Sequence, residues 1–329
     1  MASDDLRTLA LQLLERRPPP GPVVPARMVL PGSLPALIET LARPGAAIDP
    51  PVLAGLCLKY FHAYVHPEHL AADVSLDALT ELAGQFVRRR GGCAQLAGQG
   101  GLRRFLLHHG FALQMLVDLP KTVHLLAALL TAEVPAGQGF LGLDIGAGTG
   151  ILLLGQYLAA RRAGFEAPTL IGFECQPHVA ERAHSLVSAL GIGRVHRADA
   201  TKAGVYAELP DGPVACVTNE TLPSAGRRLY KEPFAAINEA LFAALGPRLA
   251  NTVFLPEAVW ACDRPGRSWL RLAPQNAFAG DGGGQGKPLR LAFMRDVELA
   301  GQRIPVDRVG EGLAGLVSPP WQESLCRRW

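Results

Sequence analysis

The stretch that decides the fold is FLGLDIGAGTG at residues 140–150, an apolar run that ends at Asp144 and continues into glycines at 146, 148 and 150. The apolar run predicts a buried strand. Glycines at alternate positions indicate a turn whose backbone lies close to another group, because glycine has no Cβ and tolerates left-handed conformations. A helix that begins after such a turn presents backbone N–H groups to a ligand. The stretch therefore predicts a strand, a ligand-binding loop and a helix.

The position of the acid distinguishes between two classes of ligand. Dinucleotide-binding loops read G-x-G-x-x-G/A, and the third position of that pattern is Ile151 here. Asp144 instead completes the pattern D-x-G-x-G-x-G, which resembles the loop of class I methyltransferases. We therefore expect S-adenosylmethionine (SAM) rather than NAD, although a glycine-rich turn without a ligand is the alternative for the loop alone. The residues expected to hold SAM here are Asp144, Gly146, Ala147, Gly148 and Gly150.

Composition limits the other function classes. The chain has 329 residues, is 49% hydrophobic and carries a formal net charge of +3, which allows two or more domains. No apolar run reaches the roughly 20 residues that cross a bilayer, and the first residues do not resemble a signal peptide. No cluster of lysine and arginine is interleaved with aromatic residues. We expect a cytoplasmic protein with neither a membrane nor a nucleic acid as partner.

The six cysteines are scattered, without Cys-x-x-Cys and without a histidine spacing typical of zinc, so no metal is expected. Three of them, Cys175, Cys216 and Cys262, fall in predicted strands, where a cysteine behaves as a small core residue.

Periodicity divides the chain into three parts. Residues 1–101 form a predicted helical N-terminal region that contains a proline-rich segment, 18–35, unable to sustain a helix. Residues 102–262 alternate apolar strands with amphipathic helices, which predicts a doubly wound, Rossmann-like α/β domain with a parallel sheet covered on both faces. Residues 263–329 predict a short β-rich element with a glycine-rich loop at 280–287.

Polar residues follow the second and third predicted strands of the α/β domain. Glu174 ends the second strand, where a carboxylate can accept hydrogen bonds from ribose hydroxyls, and Cys175 follows it in the same expected site. Asp199 and Ala200 end the third strand, where an acid and a backbone N–H can meet adenine. The alternatives are a surface acid for Glu174 and a turn cap for Asp199.

The fourth predicted strand leads to Asn219 and Glu220, and Glu232 follows in the same loop. This loop faces the cleft where the strand order reverses, so it is expected to meet the methyl acceptor. Two carboxylates on one pocket would hold a guanidinium and favour loss of its proton. The alternative is that Glu232 caps the next helix and that only Glu220 faces the site.

These residues resemble the protein arginine methyltransferases. The segment HHGFALQMLVDLPKT (108–122) is similar to the helix that precedes the SAM loop in that family, and LDIGAGTGIL, IGFECQ and FLPEAVWACD follow in family order. The resemblance covers residues 102–262. It implies that Lys121 takes the place of an arginine that pairs with the SAM carboxylate, that Met115 lines the substrate site, and that Glu220 and Glu232 form the double-glutamate pair.

The chain departs from that family after residue 262, where too little sequence remains for the full substrate-binding barrel. We therefore expect a SAM-dependent N-methyltransferase for a guanidino or amino nitrogen of a small molecule such as free arginine, with a peptide as another acceptor. The alternatives are a protein arginine methyltransferase, an O- or C-methyltransferase of a small metabolite, and a non-catalytic SAM-binding partner protein. A homo-oligomer is compatible with each.

Overall fold

The computed structural model describes residues 32–73, 108–110, 112–113, 115–116, 119–134, 139–221, 234–262, 270–274, 293–299 and 302–305. These residues form two compact units, one within residues 1–127 and the other within residues 128–309. None of the helices in the described residues is long and apolar enough to cross a membrane. The predicted boundary at 101/102 and the predicted loop at 280–287 lie outside the described residues.

The first unit is helical where it is described. Helix α1 spans Leu34–Ala42, α2 spans Pro50–Val65, and a short 3-10 helix spans Pro67–His69. Helix α2 begins at a cap in which the Asp49 carboxylate accepts a hydrogen bond from Val52 N at 2.9 Å. Residues 108–110, 112–113 and 115–116 are also helical. Helix α3 (Leu119–Thr131) spans the division between the two units.

One sequence prediction fails at the start of α1. The proline-rich segment 18–35 was expected to contain no helix, but α1 begins at Leu34 and has Pro35 in its first turn. A proline is tolerated there because the first N–H groups of a helix have no intrahelical acceptor. Residues 18–31 of the segment lie outside the described residues.

The second unit contains a five-stranded sheet in which every neighbouring pair is parallel. Its strands are β1 (Leu141–Ile145), β2 (Thr169–Glu174), β3 (Arg194–Arg197), β4 (Cys216–Asn219) and β5 (Val253–Leu255). The connecting helices are α4 (Ile151–Arg162), α5 (Pro177–Ala189) and α6 (Phe234–Leu245), with 3-10 helices at Ala203–Tyr206 and Gly246–Leu249. Every residue of β1 and β4 is buried, so both faces of these central strands are covered. The α/β class predicted from the sequence is confirmed.

The order of the strands fixes where a ligand can bind. The order is β3-β2-β1-β4-β5. Strands β2 and β3 therefore lie on one side of β1, and β4 and β5 lie on the other side. Ile145 and Asn219, the last residues of β1 and β4, lie side by side in the register. In open α/β sheets, ligands bind beyond the carboxyl ends of the strands at such a reversal.

A second sheet follows directly in sequence. It is antiparallel, in the order β7-β6-β8-β9, with strands β6 (Ala258–Cys262), β7 (Leu270–Leu272), β8 (Phe293–Leu299) and β9 (Gln302–Pro305). The predicted α/β domain extended to residue 262, but its last residues, Ala258–Cys262, form β6 of the antiparallel sheet instead of continuing the parallel one. Pro256 has no N–H to donate to a strand ladder, and the chain leaves the parallel sheet there.

Candidate ligand-binding site

The loop between β1 and α4 is held in a conformation that depends on glycine. Gly146, Gly148 and Gly150 have φ angles of 71°, 53° and 86°, in the left-handed region. The backbone N–H groups of Gly146 and Ala147 both donate to Phe173 O, at 2.9 and 3.0 Å. The loop is therefore tied to the end of β2, and Gly150 is the N-cap residue of α4.

Two glycines also make room for the loop to pack. A Cβ on Gly146 would lie 2.6 Å from Thr221 Cγ2, so the loop lies directly against the segment that follows β4. A Cβ on Gly172 in β2 would lie 2.8 Å from the Ala147 side chain. The ends of β1, β2 and β4 are thus brought together around the glycine loop.

Asp144 lies at the centre of this arrangement. It is 1% exposed, and its Oδ1 accepts a hydrogen bond from Thr218 Oγ1 at 2.6 Å. Its Oδ2 is buried, and no described residue donates a hydrogen bond to it. The pKa of Asp144 is raised to about 7, chiefly by burial; the hydrogen bond from Thr218 opposes the shift, and the charges of Glu220 and Glu174 add smaller upward contributions.

A buried amide on α4 positions the partner of Asp144. Gln156 Nε2 donates to Leu143 O at 2.9 Å and to Thr218 Oγ1 at 2.8 Å. A Cβ on Gly142 would collide with Gln156 Oε1, so this glycine is what allows the amide to lie against β1. The network joins α4, β1 and β4 behind the site and orients the Thr218 hydroxyl toward Asp144.

Glu174 connects two loops of the site. The residue is 8% exposed, and each of its carboxylate oxygens accepts one backbone hydrogen bond. Oε2 accepts from Gly148 N at 3.0 Å, and Oε1 accepts from Gln176 N at 2.8 Å. The carboxylate thus links the glycine loop to the turn after β2, at the position where the sequence predicts a ribose contact.

The loop after β3 carries the two residues predicted to contact adenine. Asp199 is exposed, and its Oδ1 accepts from Thr201 N at 3.0 Å and from Thr201 Oγ1 at 2.6 Å. These bonds lower the pKa of Asp199. Ala200 is buried, and its carbonyl accepts a hydrogen bond of 2.8 Å from Tyr206 Oη. Asp199 therefore caps the turn through one oxygen, as the alternative interpretation expected.

Cys175 corrects one prediction. It was expected to be a core residue of a strand, but β2 ends at Glu174 and Cys175 is exposed in the turn to α5. The pKa of its thiol is raised first by desolvation, then by the charge of Glu174 and by a side-chain hydrogen bond to that carboxylate, with a smaller contribution from Asp199. It thus lies near both acids. Cys216 is buried in β4, as expected.

Two predicted acceptor-site residues follow β4. Asn219 is buried, with its Nδ2 donating to Asn238 Oδ1 at 3.3 Å and its Oδ1 accepting from Thr221 N at 3.2 Å and Thr221 Oγ1 at 2.6 Å. Its amide thus makes contacts that order the loop. Glu220 is partly buried, and its charge acts on Asp144. Glu232 lies outside the described residues, so the pairing of Glu220 with Glu232 stays a prediction.

Met115 and Lys121 belong to the first unit. Lys121 Nζ donates to Met115 Sδ at 3.6 Å, and Thr122 Oγ1 donates to Met115 O at 2.9 Å. The two predicted residues therefore contact each other. Their expected roles beside SAM and beside the acceptor stay predictions.

Sequence reasoning missed the residues that support the site from behind, Gln156, Thr218, Thr221 and Asn238. One signal was available: Gln156 is a polar residue within the apolar helical run ILLLGQYLAA (151–160), where an uncharged polar side chain needs a buried partner.

A scan against protein-family models found no match to this chain, and a search of curated proteins likewise found none. The interpretation of the site therefore depends on its residues and their geometry.

Proposed function

We propose that the protein is a SAM-dependent N-methyltransferase that acts on a guanidino or amino nitrogen of a small molecule. The observation that carries this proposal is the buried Asp144 carboxylate with an unpartnered Oδ2, beneath a glycine loop at the reversal of strand order. The same strand order supports a Rossmann-like sheet of the kind that class I methyltransferases use.

The buried acid fits a ligand that carries a hydrogen-bond donor. An unpaired polar atom in the interior costs about 1–3 kcal/mol, and a donor from a ligand would remove that cost. The ammonium group of SAM is such a donor, and it would also favour the ionised form of Asp144. A binding partner for Oδ2 thus explains why an acid lies in this position.

The charge around the loop favours SAM over a dinucleotide. Asp144 lies within electrostatic reach of both Glu174 and Glu220. SAM carries a sulfonium and an ammonium group, which these carboxylates attract, whereas NAD carries two phosphates, which they repel. The preference expected from Ile151 in the sequence therefore gains independent support from the site.

The remaining contacts fit the rest of SAM. Each oxygen of the Glu174 carboxylate accepts one backbone N–H, and the Cys175 thiol also hydrogen-bonds to this carboxylate. A carboxylate has about four acceptor positions, so ribose hydroxyls would take the remaining position and that of the thiol. Asp199 uses Oδ1 within its own turn, and among the described residues none donates to its Oδ2. That oxygen and the Ala200 N–H would hold adenine, with Cys175 beside them.

Bound SAM would supply a methyl group on a positively charged sulfur: as the acceptor nitrogen bonds to the methyl carbon, the bond from that carbon to sulfur breaks and S-adenosylhomocysteine leaves. Glu220 follows β4 beside the glycine loop and would attract a cationic acceptor and orient it. The same carboxylate would favour loss of the proton from the nitrogen as the new bond forms. Asn219 and Thr221 position this loop through their mutual hydrogen bonds.

Methyl transfer from labelled SAM tests the proposal. Purified protein is incubated with free L-arginine, with a pool of small amines and guanidines, and with arginine-rich peptides. We expect label in a small guanidino or amino compound. Label in peptides alone would contradict the small-molecule assignment, and label on oxygen or carbon would contradict N-methylation. Binding of SAM without transfer to any acceptor would favour a non-catalytic SAM-binding protein.

A further inference from the structure

A cluster of histidines in the first unit plays no part in the proposed function. The sequence HAYVHPEH at residues 62–69 places His62 in the last turn of α2, His66 as its C-cap residue, and Glu68 and His69 in the 3-10 helix that follows. Three imidazoles and one carboxylate thus lie within eight residues of the chain.

The side chains of this cluster converge. Potential ligand atoms of His66, Glu68 and His69 all lie within 4.8 Å of one another, and His66 Nδ1 is 3.2 Å from Glu68 Oε1. The ring of His62 lies 5.3 Å from the ring of His66 and 5.5 Å from that of His69, measured between centroids. The rings of His66 and His69 are stacked at 5.5 Å.

His62 forms the buried side of the cluster. It is 8% exposed, and no described residue forms a hydrogen bond with its ring nitrogens. Its only described ring contacts are with His66 and His69. Its ring nitrogens are not among the fully buried polar atoms that lack a partner, so a nitrogen of this ring is accessible to an ion beside His66 and His69. The contacts of this ring with both neighbouring imidazoles place a third histidine beside the three ligand atoms that converge.

We propose that His62, His66, Glu68 and His69 bind a divalent transition-metal ion, with Zn²⁺ as the best match. Imidazole nitrogens with a carboxylate oxygen are ligands typical of zinc, which takes four of them in a tetrahedron. Ligand atoms in such a site are about 3.3 Å apart, given bonds of about 2.0–2.1 Å. His66 and Glu68 are at that spacing because they hydrogen-bond to each other, and an ion would replace this bond. The side chains of His66, Glu68 and His69 are partly or fully exposed, so they can rotate to bring their ligand atoms, now within 4.8 Å of one another, around the ion.

The ion would join the end of α2 to the 3-10 helix and would serve a structural role. No metal was expected from the cysteine and histidine spacings, which match no typical zinc motif, whereas the pattern that carries this proposal is H-x-x-x-H-x-x-H with a glutamate before its last histidine. The competing interpretation is that the histidines only place basic groups at a helix C-terminus, where they interact favourably with the helix dipole.

Zinc titration of the full chain against a chromophoric chelator tests this site. The test variant is the double substitution His66→Asn and His69→Asn, and the matched control is His178→Asn, which alters an exposed histidine of α5. We expect the wild type and the control each to bind one Zn²⁺ ion that the double variant does not bind, or binds at least about tenfold more weakly. Equal zinc binding by all three proteins would overturn the proposal.

Two further measurements guard against a folding effect. The melting temperature without metal shows whether the double variant is folded, and Zn²⁺ should raise that temperature in the wild type and the control but not in the double variant. Glu68→Gln changes an exposed side chain and should weaken zinc binding by at least about threefold. A zinc-dependent rise in melting temperature that persists in the double variant would assign the metal to other residues.

Discussion

At the scale of single residues, experiments can test two properties of Asp144 separately. These are its raised pKa and its proposed contact with the ammonium group of SAM. Its pKa is about 7 in the fold against an ordinary value of 3.8, so the fold favours the protonated acid. The associated stability is present below about pH 3.8 and is lost as the pH rises through about 7. Asp144→Asn removes this dependence because asparagine does not ionise.

We therefore predict that, between about pH 5 and about pH 8, the wild type loses about 2–3 kcal/mol more unfolding free energy than Asp144→Asn does. Urea unfolding at both pH values measures it, and effects that do not depend on pH cancel in the comparison. SAM affinity should fall by about tenfold or more, because an amide cannot neutralise an ammonium group. A difference in stability that does not change with pH would show that the acid ionises normally.

Glu220 is the residue that we propose binds the methyl acceptor and favours loss of its proton. Glu220→Gln should leave SAM affinity near that of the wild type while methyl transfer falls by about a hundredfold or more, because the amide neither attracts the cation nor favours proton loss. Glu181→Gln, at an exposed position of α5, is the matched control. Undiminished transfer in Glu220→Gln would remove this residue from the mechanism.

At the scale of elements, the glycine loop can be tested by comparing two glycines with positive φ. Gly146→Ala places a Cβ 2.6 Å from Thr221 Cγ2, whereas Gly164→Ala has the same kind of backbone strain with no heavy atom within 4 Å. Strain alone costs about 1–2 kcal/mol. We expect both variants to lose stability, with the larger loss in Gly146→Ala, and only that variant to lose SAM affinity. Equal SAM affinity in the two variants would show that the loop does not contact the ligand.

The elements also show what could be read from the sequence. The apolar runs before Asp144 and Glu174 predicted β1 and β2 because buried parallel strands need continuous apolar residues. The division at Pro256 was missed, since VFL and AVWAC are equally strand-like and only tertiary pairing assigns them to different sheets. The hydrogen bond from Thr218 to Asp144 spans 74 residues, a contact that local pattern cannot predict.

At the scale of the whole molecule, the second unit alone contains the glycine loop, Asp144, Glu174, Asp199 and Glu220. The first unit contains the histidine cluster and the two predicted residues Met115 and Lys121. None of the residues proposed to contact SAM belongs to the histidine cluster at residues 62–69, so zinc binding and SAM binding are expected to be separable. The double variant of His66 and His69 should bind SAM as the wild type does, which titration with SAM can measure, and a joint loss of both ligands would contradict separate sites.

Calorimetric titration with SAM and with NAD is the sharpest test of whether the glycine loop and Glu174 form a SAM site. We predict that the wild type and Glu181→Gln bind SAM and not NAD. Glu174→Gln should bind SAM at least about tenfold more weakly, because the carboxylate that it loses is proposed to receive both ribose hydroxyls. The melting temperature of Glu174→Gln is measured alongside, since the same carboxylate accepts hydrogen bonds from Gly148 N and Gln176 N. Binding of NAD with no binding of SAM, or SAM affinity unchanged in a folded Glu174→Gln, would contradict this prediction.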